Sequence, residues 1–306
     1  MKVVDPLYLR VTYSPDHLFL VTPDRSWSYL EAEIKIQQIT STLINYGVSK
    51  GNRVGILASN QPDYIFFVLA LTRIGAVSVF LNRRMNIASI GKQLESIGVQ
   101  FLLTDQKLDL DKITVISFSN YDTKQLKTHP TLSLNEAHSV FFSSGTTGNP
   151  KPILLTLGNH YYSAISVLSR LVNNIENRYW LLCLPLFHVG AFSIVWRCLW
   201  SGITIFLTEG FDASQIVQIV NTYPIGLISL VPTMLVRILD DATFEQNRSV
   251  WQNLHGIMVG GAPLPQKLGE RCLSLKLPLA ISYGLTEASS TVSLLTTNEW
   301  QTKPFS

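Results

Sequence analysis

Residues 54–81 read VGILASNQPDYIFFVLALTRIGAVSVFL. Residues 54–58 are a short apolar strand. Residues 62–74 follow as a helix, and Gly75 ends it, because glycine accepts the left-handed backbone that closes a helix. Residues 77–81 are the next strand. Strand, helix and strand in immediate succession form a βαβ unit. The stretch from Tyr64 to Leu81 is strongly apolar, but Arg73 and Gly75 interrupt it. A buried helix leading into a buried strand fits it better than a membrane span.

The same alternation extends in both directions. Upstream, Ser28-Tyr29-Leu30-Glu31 is a capping box. It opens a helix with Ile36, Ile39 and Leu43 on one face, and Gly47 stops it. Downstream come a helix near 87–97, stopped by Gly98, and strands at 101–104 and 113–118. Residues 119–136 are polar and turn-rich, and read as a boundary. A second series starts at Ser139. Its strands are 140–143, an extended 153–156, 179–184, 203–207, 227–230 and 257–259. Its helices lie near 159–171, 193–200, 214–221, 233–240 and 265–274. The apolar stretch 191–207 is broken by Arg197 and Gly202, so it also reads as buried helix then strand. Repeated βα units predict an α/β fold of two packed subdomains with mostly parallel sheets, 1–130 and 131–306. Ligands are expected where loops leave the carboxyl ends of the strands.

Bulk composition narrows the function. Of 306 residues, 46% are hydrophobic and 15% charged, which suits a packed core and argues against disorder. The net charge of +3 comes from 24 basic and 21 acidic residues with no dense Lys/Arg run, which speaks against a nucleic-acid partner. Cys183, Cys198 and Cys272 follow no C-x-x-C spacing and read as buried, reduced thiols of a cytoplasmic protein. The opening Met1-Lys2-Val3-Val4-Asp5-Pro6 lacks the apolar core of a signal peptide.

Two motifs carry chemistry. Ser143-Ser144-Gly145-Thr146-Thr147-Gly148-Asn149-Pro150-Lys151 is a hydroxyl- and glycine-rich loop closed by a lysine. Glycines let backbone N–H groups turn inward, hydroxyls donate to phosphate oxygens, and the ammonium neutralises charge. It is not a Walker A loop, which needs Gly-Lys-Ser/Thr in direct succession. An ordinary hairpin turn is the plainer reading. Tyr283-Gly284-Leu285-Thr286-Glu287 offers an aromatic face, a flexible glycine, a hydroxyl and a carboxylate. Those parts suit a purine, an α-phosphate and Mg²⁺.

At this separation the pair resembles the core motifs of the acyl-adenylate-forming superfamily, which includes acyl-CoA synthetases and luciferases. The resemblance implies ATP as co-substrate, with Tyr283 stacked on adenine, Thr286 at the α-phosphate and Glu287 on Mg²⁺. It implies that Gly260-Gly261-Ala262-Pro263 runs along adenine and the acyl pocket. A simple strand-to-helix turn is the alternative for that segment. The family's phosphate loop usually continues Pro-Lys-Gly. Here Pro152 follows Lys151, and the loop is expected to survive with less mobility.

His188, in Leu184-Pro185-Leu186-Phe187-His188-Val189-Gly190, matches a histidine that lines and gates the family's acyl site. A packed structural histidine is the plainer reading. Arg197 stands among Phe192, Ile194, Val195, Trp196, Leu199 and Trp200. A guanidinium in such company needs an anion, either a structural carboxylate or one on the substrate. Together with Leu81-Asn82-Arg83-Arg84, Gly158-Asn159-His160 and Phe187-His188, Arg197 makes the chain resemble the o-succinylbenzoate–CoA ligases of menaquinone or phylloquinone biosynthesis. Their substrate is an aromatic dicarboxylate, one carboxylate activated and the other held. Coenzyme A is the implied co-substrate, and a homo-oligomer is compatible with the reading.

The family continues into a ribose-binding aspartate, a hinge and a mobile lid that carries a lysine. Only 19 residues follow Glu287. The chain therefore reads as the N-terminal part of such an enzyme, expected to be impaired in thioester formation by itself. Two other readings stay open. One is another carboxylate–CoA ligase, for a fatty or aryl acid. The other is a non-catalytic nucleotide-binding remnant.

Overall fold

The computed structural model describes residues 1–108, 110, 112–119, 121, 124–126, 131–143, 150–171 and 177–302. In chain order the first elements are β1 (Lys2–Val4), α1 (Pro6–Tyr13), β2 (Leu18–Val21), β3 (Ser26–Ser28), α2 (Tyr29–Asn45), β4 (Arg53–Leu57), α3 (Pro62–Ile74), β5 (Val77–Phe80) and α4 (Ile87–Ser96). Then come β6 (Phe101–Thr104), β7 (Thr114–Ser117), β8 (Thr131–Ser133), β9 (Ala137–Ser143), β10 (Lys151–Thr156), α5 (Leu157–Leu171), β11 (Tyr179–Leu182), α6 (Val189–Ser201) and β12 (Thr204–Leu207). The last are α7 (Ala213–Thr222), β13 (Ile225–Leu230), α8 (Pro232–Leu239), α9 (Phe244–Gln252), β14 (Gly256–Val259), α10 (Gln266–Ser274), β15 (Leu279–Leu285), β16 (Ser290–Leu295) and α11 (Thr297–Thr302).

The chain forms two compact units. The first comprises Met1–Phe19, Ser26–Tyr161 and Pro185–Val189; the second comprises Leu20–Arg25, Tyr162–Leu184 and Gly190–Ser306. The first unit thus runs past the boundary expected at residue 130. The reason is pairing: β9 lies parallel to β5 and β10 antiparallel to β9, so the polar stretch before them connects strands of one sheet.

In the first unit the sheet order is β10-β9-β5-β4-β6-β7, all parallel except for β10. Helix α3 shows why its sequence looked membrane-like. Tyr64 through Leu71 are all buried, because the helix is covered on every side. Gly75 caps it at φ 78°. Arg73 interrupts the apolar run for a local reason. Its Nε donates to Asp5 at 2.8 Å, and its two Nη atoms donate to Glu33 at 2.9 and 2.6 Å. Burial opposes the charge, but the two carboxylates outweigh it and raise the guanidinium pKa. The Ser28–Glu31 capping box forms as read, and α2 follows it.

In the second unit the strands run β16-β15-β14-β13-β11-β12-β2. Neighbours are parallel except for the β15–β16 hairpin. The apolar stretch 191–207 resolves into α6 and the fully buried β12. The three cysteines are free and buried. No helix among the described residues is long and apolar enough to cross a membrane.

Candidate active site

The phosphate-loop candidate begins at the end of β9 and returns in β10. Ser143 and Lys151 face each other across this antiparallel pair, so the loop is closed at its base. Ser144, Gly145, Thr146, Thr147 and Gly148 lie outside the described residues. Lys151 is exposed. The departure at Pro152 has a structural answer. β10 is the edge strand of its sheet, the position in a sheet that tolerates a residue with no N–H to donate.

In the second unit, parallel pairing of β14 with β15 sets Val259 beside Ile281. The segments that leave these strands are therefore neighbours. They are Gly260-Gly261-Ala262-Pro263 and Tyr283-Gly284-Leu285-Thr286-Glu287, two of the candidate segments. Gly260 has no room for a side chain, since a Cβ would collide with Ser282. Gly261 sits at φ 79°, the left-handed region. Tyr283 is 63% exposed, an available aromatic face. The second motif is less loop-like than its sequence suggests. Tyr283 to Leu285 belong to β15, and Thr286–Ala288 form a 3-10 turn carrying the exposed Glu287.

Gly284 is required by close approach. The β15–β16 register shifts between Tyr283 and Gly284, and a Cβ there would strike the backbone of Ser290 and Thr291. Backbone cannot swing aside like a side chain. Gly284→Ala is expected to destabilise the fold by about 1–3 kcal/mol, the usual range for overpacking. Urea unfolding measures this, and an unchanged midpoint would contradict it.

Arg197, on α6, is the most unusual group in the second unit. It is 1% exposed. Its Nη2 donates to Thr291 Oγ1 at 3.0 Å and to Ser290 Oγ at 3.5 Å. Nη1 approaches Met258 Sδ at 3.7 Å, and the Trp180 ring lies 5.7 Å from Cζ. Nε has no hydrogen-bond partner among the described residues. No Asp or Glu pairs with Arg197 among the described residues. Burial pushes its pKa down to about 10. The structural-carboxylate reading of Arg197 therefore finds no support there. Sequence reasoning did not find Ser290 and Thr291. They lie beyond the second motif, at the start of a strand that has no apolar alternation. Ser289 and Ser290 both have positive φ, 55° and 94°, a strained turn that delivers the Ser290 hydroxyl toward the arginine.

His188 lies in the first unit, on the turn that Pro185 closes by accepting from the His188 N–H at 3.0 Å. It is exposed at the surface and its ring centroid is 4.4 Å from that of Phe187. Surrounding protein lowers its pKa by desolvation, and the charge of Arg84 lowers it further. The Gly158-Asn159-His160 signature is architectural. Gly158 leaves no space for a Cβ against the Leu134 carbonyl, Asn159 Oδ1 accepts from Thr156 N at 2.8 Å, and His160 Nε2 meets Ser139 Oγ at 2.7 Å. Buried Cys183 and Cys272 have thiols pushed up to about 12, and Cys198 is raised as well, so none is a thiolate near neutrality.

Comparison with known proteins places this geometry in context. The model of the AMP-binding enzyme family matches residues 8–305. A 2-succinylbenzoate–CoA ligase from Bacillus cereus is 32% identical over 300 residues, covering 97% of this chain and 62% of that protein. The o-succinylbenzoate CoA synthetase of Bacillus subtilis, solved with the acyl-adenylate intermediate OSB-AMP, superposes with a TM-score of 0.91 at 27% identity, covering 99% of this chain and 63% of that one. The same enzyme in complex with ATP and magnesium ion gives 0.89 at 26% identity, over 99% and 64% of the two chains. The chain thus spans less than two thirds of these relatives' length.

Proposed function

This chain belongs to the AMP-binding enzyme family, and on that premise we propose that it serves the ATP-dependent activation of o-succinylbenzoate. In this reading a substrate carboxylate oxygen attacks the α-phosphorus, the bond to pyrophosphate breaks, and an acyl-AMP forms. The thiolate of coenzyme A then displaces AMP to give the thioester used in menaquinone or phylloquinone synthesis. The reading places the protein in the cytoplasm, with a small carboxylate rather than nucleic acid as its partner.

One observation carries the substrate choice: a buried, charged Arg197 with only neutral partners among the described residues. Such a charge is unfavourable unless a ligand completes it. The distal carboxylate of a dicarboxylate would do so, with the Ser290 and Thr291 hydroxyls alongside. A fatty acid would offer nothing to this group. His188 lines the acyl side.

The remaining residues take phosphate roles. Lys151, Ser143 and the loop 144–148 hold the pyrophosphate end. Tyr283 stacks on adenine against Gly260–Pro263, and Thr286 donates to the α-phosphate. Gly284 belongs to the same nucleotide-binding segment. Among the described residues no cluster of three His, Cys, Asp or Glu could hold a metal. A single exposed carboxylate, Glu287, still suits Mg²⁺, which is commonly bound by one or two carboxylates plus substrate phosphates. Bound there, the ion would neutralise charge on the phosphate oxygens. The chain's share of catalysis is positioning and fixed charge.

Lys151→Ala is expected to weaken ATP–Mg²⁺ binding by about 1–3 kcal/mol, the loss of one charge-assisted contact. Isothermal titration of parent and variant measures it. Equal affinities would remove Lys151 and its loop from the nucleotide site.

A further inference from the structure

The turn that carries His188 is anchored from a distance by a residue with no assigned role. Asn60 follows β4, on the connection into α3, at the carboxyl end of that strand. It is 9% exposed, and its Oδ1 accepts the backbone N–H of Leu186 at 2.9 Å, across 126 residues of sequence. Leu186 is itself 1% exposed, so water does not replace that acceptor. Within the turn, Pro185 accepts from the His188 N–H. The four residues 185–188 are thus closed internally by one bond and tied to the β4 end by another. Arg84 follows β5, the strand adjacent to β4, and its position is set by Asn82 Oδ1, which accepts the Arg84 N–H at 2.9 Å. Two neighbouring strand ends therefore present one residue that holds the turn and one whose charge acts on His188.

We propose that Asn60 is a positioning residue, which fixes the Pro185–His188 turn so that His188 is presented to the acyl substrate. The inference rests on the acyl-site reading of His188 given above. Asn60 acts on the turn through the Leu186 amide. That anchor needs an oxygen at this place, and alanine or serine removes it, since neither places an oxygen where Oδ1 sits.

The test uses the full chain and two readouts. The first is the titration of the His188 ring proton by NMR, assigned by its disappearance in His188→Gln. The second is calorimetric affinity for a non-hydrolysable o-succinylbenzoyl-adenylate mimic, set against affinity for ATP. In Asn60→Ala the His188 midpoint should move up toward the ordinary imidazole value, as the released turn weakens the desolvation and the Arg84 charge that lower it. Mimic affinity should fall about tenfold, while ATP affinity stays within about twofold. Asn60→Ser, a milder truncation, gives the same readouts if the alanine variant does not fold. Parental His188 titration together with parental mimic affinity in the truncated variants would overturn the proposal. A parent chain that ignores the mimic would overturn the acyl-site reading instead, and the His188 titration would still decide whether Asn60 holds the turn.

Discussion

Between neutral pH and roughly pH 4.5 the folded state should lose on the order of 3–5 kcal/mol of stability through two buried histidines. His138 and His160 are 3% and 2% exposed, with ring centroids 5.0 Å apart. His138 Nε2 meets Thr72 Oγ1 at 3.0 Å, and Thr72 already donates to the Val68 carbonyl at 2.8 Å. His160 Nε2 meets Ser139 Oγ. Burial lowers the His138 pKa to about 3; it lowers that of His160 too, and the charge of His138 lowers it further. Both rings are therefore neutral in the fold and protonate near the ordinary value of 6.5 in the unfolded chain. Stability from this pair is complete above that value and drains as pH falls toward the folded-state values. Each ring contributes a slope of about 1.4 kcal/mol per pH unit. That compares with a total of about 5–15 kcal/mol for a typical domain. Urea unfolding at a series of pH values measures the slope. His138→Gln and His160→Gln should each flatten it. If both variants keep the parental slope, acid sensitivity arises elsewhere.

Replacing Arg197 should separate stability from binding. A fall in pKa from 12.5 to about 10 corresponds to roughly 3 kcal/mol of penalty for keeping the group charged at neutral pH. Arg197→Met removes that charge and fills similar volume beside Trp180 and Met258. The unliganded variant should be at least as stable as the parent, unlike a variant that breaks a buried ion pair and loses about 3–5 kcal/mol. The same substitution should lower affinity for an o-succinylbenzoyl-adenylate mimic by about 2–3 kcal/mol, roughly a hundredfold, because a charge-assisted contact is lost. ATP affinity should change little. Thermal melts and calorimetry supply both numbers. A variant that is strongly destabilised but binds the mimic normally would make Arg197 a structural residue.

The fold was legible wherever the chain is punctuated. Helix α3 was read at residues 62–74 because Pro62 opens it, Gly75 closes it, and its apolar run is too long for a strand. β6 was read at its observed bounds because a short apolar run follows the helix stop at Gly98. Elements set by distant pairing were harder. The β15–β16 hairpin was not read, because Ser290, Thr291 and Ser293 carry no apolar alternation and pairing with β14 and β16 is what makes β15 a strand. Helix α9 is largely polar and buries little beyond Phe244 and Trp251. Helix α1 is short, and β1 pairs only with β8, far along the chain. At the site, glycines and hydroxyls advertised the phosphate and adenine segments, and an arginine in an apolar helix advertised itself. What surrounds that arginine was not legible, since Ser290 and Thr291 reach it only through the fold. Asn60 was equally silent: its Oδ1 meets a backbone amide, which carries no sequence signature.

The central claim is that this chain recognises the adenylate of a dicarboxylic aromatic acid. The direct measurement is calorimetric titration of the unmodified chain with two non-hydrolysable acyl-adenylate mimics. One carries the o-succinylbenzoyl group, and the other is the same molecule without its distal carboxylate. The account predicts that the first binds at least tenfold more tightly, about 1.4 kcal/mol or more, through the buried guanidinium. Equal affinities for the two mimics would contradict it.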